Sequence, residues 1–317
     1  MPEPPHAAVD DSLCRFSFDA LPVRGQWVRL TRVIGDAVAN KTYPDEPRRL
    51  LAQMFAAVAM FADNIKFEGT VALQSRGNSG PMVRSLAECR DRRYLRGILH
   101  LQDDYVSPQE SSDLRQWLHN GQLALNLIPD RNTGQVTYQG LVALEHPSLA
   151  ANLESYFATS EQLPTRIFFA TTTASVTALL LQRLPSRPDA TDESLQAADE
   201  AWRTLQILAE TVTEGELQTL APAPLLGRLF GEYPCRLHPA RALSFRCSCS
   251  KRKSDRTLRV LTDEDVAELL EQQGAITVGC EFCGAQYRYD AIDIAALNSP
   301  PDLPPGPPPM PGSDVVH

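Results

Sequence analysis

Apolar and polar residues alternate, cluster or recur by turns along the chain, and each rhythm predicts a different element. "WVRLTRVI" (27–34) alternates with the period of a strand. Residues 44–62 contain "LLAQMFAAVAMFA", 13 residues interrupted only by Gln53, and predict a long buried helix. That run is shorter than the ~20 residues a membrane-spanning helix needs. "FEGTVALQ" alternates from Phe67, turns at "RGNSG" and resumes at "PMVRSL", the pattern of a hairpin. A second hairpin is predicted from "LALNLI" (123–128) through "PDRNTG" to "QVTYQGLVAL". Ser148 then stands where it can cap a helix whose Leu149, Leu153, Tyr156 and Phe157 share one face. "RIFFATTTASVTALLLQRL" is rich in β-branched residues and predicts at least one more strand. "FEGTVALQ" and "YQGLVALE" echo one another, which suggests strands in equivalent places in two half-sheets, although common strand grammar accounts for eight residues equally well.

At "LPSRPDATDES" the chain turns polar, and a domain boundary is expected near Pro185. Residues 195–220 are helical by period, with an apolar stripe of Leu195, Ala198, Trp202, Leu205, Ala209 and Val212. "APAPLLGRLFGEYP" breaks that helix and starts a second, short apolar one at about 225–230. A stripe of this kind must be docked on something, and packing against the core is the plain reading for the resting state. Further on, "TDEDVAELLEQQG" is a helix signalled at both ends, by Thr262 at the N-cap and Gly274 at C′. The fold class expected is α+β: a mixed sheet-and-helix core (15–185), a helical linker (186–240) and a small C-terminal domain (241–298). The N-terminal extension (1–14) and the tail (299–317) are expected to be disordered. Eight of residues 300–311 are proline, so the tail reads as extended, with a proline-recognition ligand as the weaker reading.

A length of 317 residues suits two domains. A net charge of −9 excludes a protein whose whole surface grips nucleic acid or an anionic membrane. "MPEPPHAAVDDSLC" has neither the basic start nor the apolar run of an export signal, so a cytoplasmic location is expected. In a reducing cytosol the seven cysteines would not form a permanent disulfide framework, which turns attention to metal or redox chemistry.

Four of them fall in two tight pairs, Cys247 and Cys249 in "FRCSCSKRK" and Cys280 and Cys283 in "VGCEFCGAQY", thirty residues apart. A CxC and a CxxC on two arms meet the needs of a tetrahedral zinc ion with ~2.3 Å Zn–S bonds, each pair at a strand end or turn with one helix between. A domain of about 55 residues buries too little to be stable alone, and a structural metal is the usual remedy. On a strand, residues i and i+2 stand about 6.6 Å apart, near the outer limit for a disulfide, although both sulfurs still converge on one ion. Cys235 and His238 ("CRLH") have ligand spacing and could replace one pair. Cys14 and Cys89 read as small buried hydrophobes. A thioredoxin-like motif would open a helix, whereas "CEFCGAQYRYD" runs into a strand pattern. Residues 241–259 are locally basic, which keeps a zinc-ribbon nucleic-acid binder as a rival. There is no GxSxG or glycine-rich phosphate loop, and "GNSG" (77–80) reads as a turn.

These residues resemble the heat shock protein 33 family, the redox-regulated holdase chaperones of bacteria. "FRCSCSKRK", "TDEDVAELLEQQG" and "CEFCGAQYRYDAIDIAAL" are similar to its redox-switch domain. "KFEGTVALQSRGNSGPM", "LRGI", "YQGLVALE" and "LESYFATSEQLPTRIFF" are similar to its core, and "LAETVTEGELQTLAPAPLLGRLF" to its linker. The extension, the proline-rich tail and Cys235 depart from the pattern without touching the four cysteine positions. The resemblance implies an ATP-independent chaperone that is inactive while reduced, with one Zn2+ per chain on Cys247, Cys249, Cys280 and Cys283. It further implies that the disulfides Cys247–Cys249 and Cys280–Cys283 release zinc, unfold the C-terminal domain and loosen the linker. Unfolding clients are then bound, the oxidised chains form homodimers, and neither nucleic acid nor membrane is a partner.

Overall fold

The computed structural model describes residues 10–19, 21–64, 68–105, 107–108, 112–130, 136–186 and 191–298. Most of the extension, the whole tail and most of the turn expected at 129–134 lie outside the described residues. The fold is α+β, and the chain divides into two units, Met1–Cys247 and Ser248–His317.

The first unit opens with β1 (Ser12–Phe18) and β2 (Val23–Leu30). Residues 12–14, expected to be loose, therefore begin a strand, and Leu13 and Cys14 are buried in it. The strand pattern of "WVRLTRVI" also stops early, at Leu30. The Asp11 carboxylate accepts the backbone N–H groups of Thr31, Arg32 and Val33 at 2.9–3.1 Å, which satisfies the orphan donors of a helix start and turns the chain into α1 (Arg32–Val38). The long apolar run forms α2 (Asp45–Asn64), with acids in its first turn. Next come β3 (Gly69–Arg76), β4 (Met82–Arg90), β5 (Tyr94–Leu101), α3 (Leu114–Leu118), β6 (Gln122–Pro129) and β7 (Tyr138–Val142). α4 (Leu149–Thr159) is capped by Ser148, whose Oγ accepts from Ala151 N–H, and its apolar face is buried as its spacing requires. "RIFFATTTASVTALLLQRL" makes two strands, β8 (Thr165–Thr171) and β9 (Val176–Arg183).

The strands form two six-stranded sheets. One has the order β1-β2-β9-β8, with β10 (Cys235–Leu237) and β11 (Arg241–Ala242) both pairing with β1. The other has the order β12-β5-β4-β3-β6-β7, with β12 (Ser244–Phe245) parallel to β5. The two echoing segments, on β3 and β7, flank β6 in one sheet, where Gly69 faces Pro129 and Gly140 faces Leu125. Their likeness is strand grammar and not structural equivalence. α2 packs on strands of both sheets, which is why residues 51–62 contribute almost without a break to the main core.

The helical stretch that follows forms α5 (Asp192–Glu210), α6 (Glu214–Thr219) and α7 (Pro222–Phe230). The single helix expected over 195–220 is broken at residues 211–213, because Thr213 caps α6 through a capping box with Glu216. Trp202, Leu205, Ala209, Leu217, Leu225, Leu226, Leu229 and Phe230 form a second core with Phe16, Phe18, Val23, Trp27, Leu179 and Leu181 on the strands. Each large apolar side chain buried there contributes roughly 1.5–3 kcal/mol. Residues 241–247, expected in the C-terminal domain, fall within the first unit because β11 and β12 complete its sheets.

In the second unit α8 (Lys251–Leu258) and α9 (Asp263–Gln273) precede the hairpin of β13 (Ile276–Gly279) and β14 (Gln286–Tyr289), and α10 (Ala291–Asn298) follows it. Thr262 and Gly274 end α9 as expected, Thr262 in a capping box with Asp265 and Gly274 left-handed at φ 70°.

Candidate metal centre

Two local structures present the four cysteines. On the first arm β12 runs beside β5, and Arg246 N–H donates to the Leu95 carbonyl at 2.9 Å. Cys247 and Cys249 follow in irregular backbone, not on a strand, so strand spacing does not govern the pair. Ser250 then caps α8, its Oγ accepting from Lys253 N–H, which puts Cys249 just ahead of the positive end of a helix. The second arm is the turn between β13 and β14. There Cys280 N–H donates to the Ala285 carbonyl and Gly284 N–H to the Cys280 carbonyl, both at 2.8 Å. Gly284 has φ +73°, a conformation that glycine adopts without a Cβ clash.

These arms bring the Sγ atoms of Cys247, Cys249, Cys280 and Cys283 within 4.8 Å of one another, all half-buried. Four sulfurs at ~2.3 Å from a central ion would be about 3.8 Å apart, so both the spread and the donor set fit tetrahedral zinc. Cys249 Sγ and Cys283 Sγ, one from each arm, lie 3.4 Å apart. Among the described residues the donor set is four thiols, the set of a closed, structural type of site.

The surroundings hold the sulfurs in place. The Tyr287 hydroxyl bonds to Cys249, which together with burial and the neighbouring sulfurs pushes its pKa up to about 12. Tyr289 is fully buried and donates to Asp255 Oδ1 at 2.8 Å and to the Lys251 carbonyl at 3.1 Å, tying the hairpin to α8. In the first unit, burial works against the charge of Arg96. The Glu88 carboxylate, at 2.5 Å, and the Cys247 sulfur more than offset this and raise its pKa. Leu258, Ile276 and Tyr289 are the buried centre of the second unit's small apolar cluster, a core of the size that needs a metal staple.

A family model described as "Hsp33 protein" matches residues 11–290. The chain belongs to the heat shock protein 33 family. Its curated relatives include the 33 kDa chaperonins of Ectopseudomonas mendocina, 38% identical over 91% of this chain and 95% of the relative, and of Cronobacter sakazakii, 34% identical over 92% and 96%. The crystal structure of the 33 kDa chaperonin of Thermotoga maritima has the same fold, with a TM-score of 0.73 over 90% of this chain and 97% of the other at 19% identity.

The other thiols of this family member stand apart from the cluster. Cys235 pairs with Phe18 on β1, and burial pushes its pKa up to about 11. His238, the other half of "CRLH", bonds to Ser17 Oγ at 3.1 Å. Cys14 and Cys89 are buried, and burial raises both thiol pKa values, that of Cys89 to about 12. Two helices, not one, separate the cysteine pairs. α8 escapes sequence reading because "KRKSDRTL" has almost no apolar period, and only Ser250 before it signals a helix start. Its Lys251 is engaged with Asp293 at 2.8 Å and its Lys253 with the Ser248 carbonyl at 2.6 Å, which draws two cations out of the basic run. Arg96, Tyr287 and Tyr289 carry no sequence signal of their roles, which depend on contacts distant along the chain.

Proposed function

We propose that the chain is a redox-regulated, ATP-independent holdase chaperone, a binding protein and not an enzyme, working in the cytoplasm on unfolding clients. In the reduced state Cys247, Cys249, Cys280 and Cys283 hold one Zn2+ per chain. When bound, the ion supplies four bonds that tie the CxC arm to the CxxC hairpin, a role its small core cannot fill. Oxidation joins Cys280 to Cys283 and Cys247 to Cys249. Formation of each disulfide from two thiolates gives two electrons to a two-electron oxidant such as hydrogen peroxide, which takes two protons from solvent and becomes two waters. The four donors are thereby lost, the second unit unfolds, and residues 186–240 loosen from the first sheet. Trp202, Leu205, Leu226 and Phe230 then offer apolar surface to clients, and oxidised chains associate as homodimers.

The observation that carries this reading is the convergence of four sulfurs within 4.8 Å beside a core centred on three buried side chains. Aggregation of a heat-denatured client is to be followed with the protein reduced and zinc-loaded, and again after peroxide. Protection only after oxidation supports the reading. Salt-sensitive nucleic-acid binding by the reduced form, with no protection in either state, would favour the rival.

A further inference from the structure

Arg29 lies on β2, in a sheet face that α5, α6 and α7 cover, and is only 7% exposed. Thr177 on β9 is its direct cross-strand partner, and Arg29 Nε–H donates to Thr177 Oγ1 at 3.1 Å. The guanidinium also lies over the Trp27 ring, 4.9 Å from its centroid. Held from these two sides, it points its Nη2 at the end of α6, donating to the Leu220 carbonyl at 2.8 Å and the Leu217 carbonyl at 3.2 Å. Those carbonyls belong to the last turn of a helix, where intrahelical donors run out and the dipole favours a cation.

Two further arginines of this sheet reach the helical segment. Arg166 on β8 pairs with Glu210, and Arg183 on β9 pairs with Asp199. Both acids are about half exposed, so water and salt screen these pairs. The Arg29 contact is the buried one, and it is made to backbone, which no substitution in α6 removes. It also has a bias towards release. Its acceptors are a hydroxyl, two carbonyls and a ring face, and burial lowers the pKa of the guanidinium in spite of the Asp10 charge, so a displaced α6 would let the cation regain water.

We propose that Arg29 is a positioning residue that clamps α6 on the first sheet and so keeps the client-binding surface masked until the second unit gives way. This rests on the chaperone reading above. Without the guanidinium the buried Leu217 carbonyl and the half-buried Leu220 carbonyl lose this donor, while the apolar contacts of α5 and α7 remain. The docked segment would then open more often without any change at the cysteines.

The test uses full-length, reduced, zinc-loaded protein. Arg29→Met is compared with the unsubstituted chain by hydrogen exchange over residues 211–230, zinc content and suppression of client aggregation. The expected result is exchange faster by about tenfold or more, with one zinc retained and protection of client before any oxidant is added. Arg166→Met, at the screened rim, should change exchange less. Native exchange and no protection in reduced Arg29→Met, with normal activation by peroxide, would overturn the clamp. Should Arg29→Met not fold, Arg29→Lys, whose ammonium cannot serve the hydroxyl and both carbonyls in the same planar geometry, is read by the same two outcomes. The chaperone reading fails separately, if the oxidised unsubstituted chain protects no client; the exchange comparison still decides the clamp.

Discussion

The Sγ atoms of Cys249 and Cys283 stand 3.4 Å apart although 34 positions separate them in the chain. The contact joins the two arms, whereas the disulfides proposed for the oxidised state join cysteines within each arm. Reduced and oxidised states thus use the same four sulfurs in different pairings, and one arrangement must be given up to form the other.

Removal of the metal should unfold the second unit and spare the first. Structural zinc contributes on the order of 10–16 kcal/mol in small peptides, far more than a few buried side chains supply. Chelation of the reduced protein is expected to abolish amide protection over residues 248–298 while α2 and the strands beside it remain protected. Hydrogen exchange checks this directly.

Serine at any of Cys247, Cys249, Cys280 or Cys283 should weaken zinc binding by more than the roughly 10–100-fold that loss of an outer-shell partner costs. Serine at Cys235, or alanine at Cys14, should leave one zinc per chain. Competition with a chromogenic chelator measures both.

Tyr289→Phe removes the hydroxyl that holds Asp255 and the Lys251 carbonyl but keeps the ring in the small core. The expected loss is about 1–3 kcal/mol from the second unit, since a carboxylate loses its buried donor. Melting of the zinc-bound protein, followed by a probe in residues 248–298, should show it, with zinc stoichiometry unchanged.

Cys89 gives the first unit an alkaline sensitivity. Burial raises its pKa to about 12, above the value near 9 of an exposed thiol. The native state therefore keeps the proton while the unfolded state loses it. Stability is fully present below about pH 9 and falls as pH rises towards 12, by up to about 1.4 kcal/mol per pH unit. Denaturant midpoints from pH 8 to 11 should show this slope, and Cys89→Ala should lessen it by the share of Cys89, leaving the contributions of Cys14 and Cys235, whose pKa values burial also raises.

The parts legible in the sequence are those with local causes. The apolar run of α2, Thr262 and Gly274 at the ends of α9, Ser148 before α4 and the two cysteine pairs all act within a few residues of themselves. What the sequence hides comes from partners far away. Asp11 turns "TRVI" into a helix from 20 residues upstream, Ser12 is fixed as strand by Arg29 opposite it, and the last turn of α6 is capped by an arginine on β2. α8 is missed for another reason: a polar helix held by Tyr289 and Asp293 shows no apolar period.

The most direct test of the switch follows zinc release, exchange over residues 195–230 and client protection together during one peroxide titration. The expected result is that all three rise in parallel, reach one zinc released per chain, and reverse when thiol reductant and zinc are restored. Client protection at full strength before zinc is released, or full zinc release with residues 195–230 still protected and clients unprotected, would contradict it.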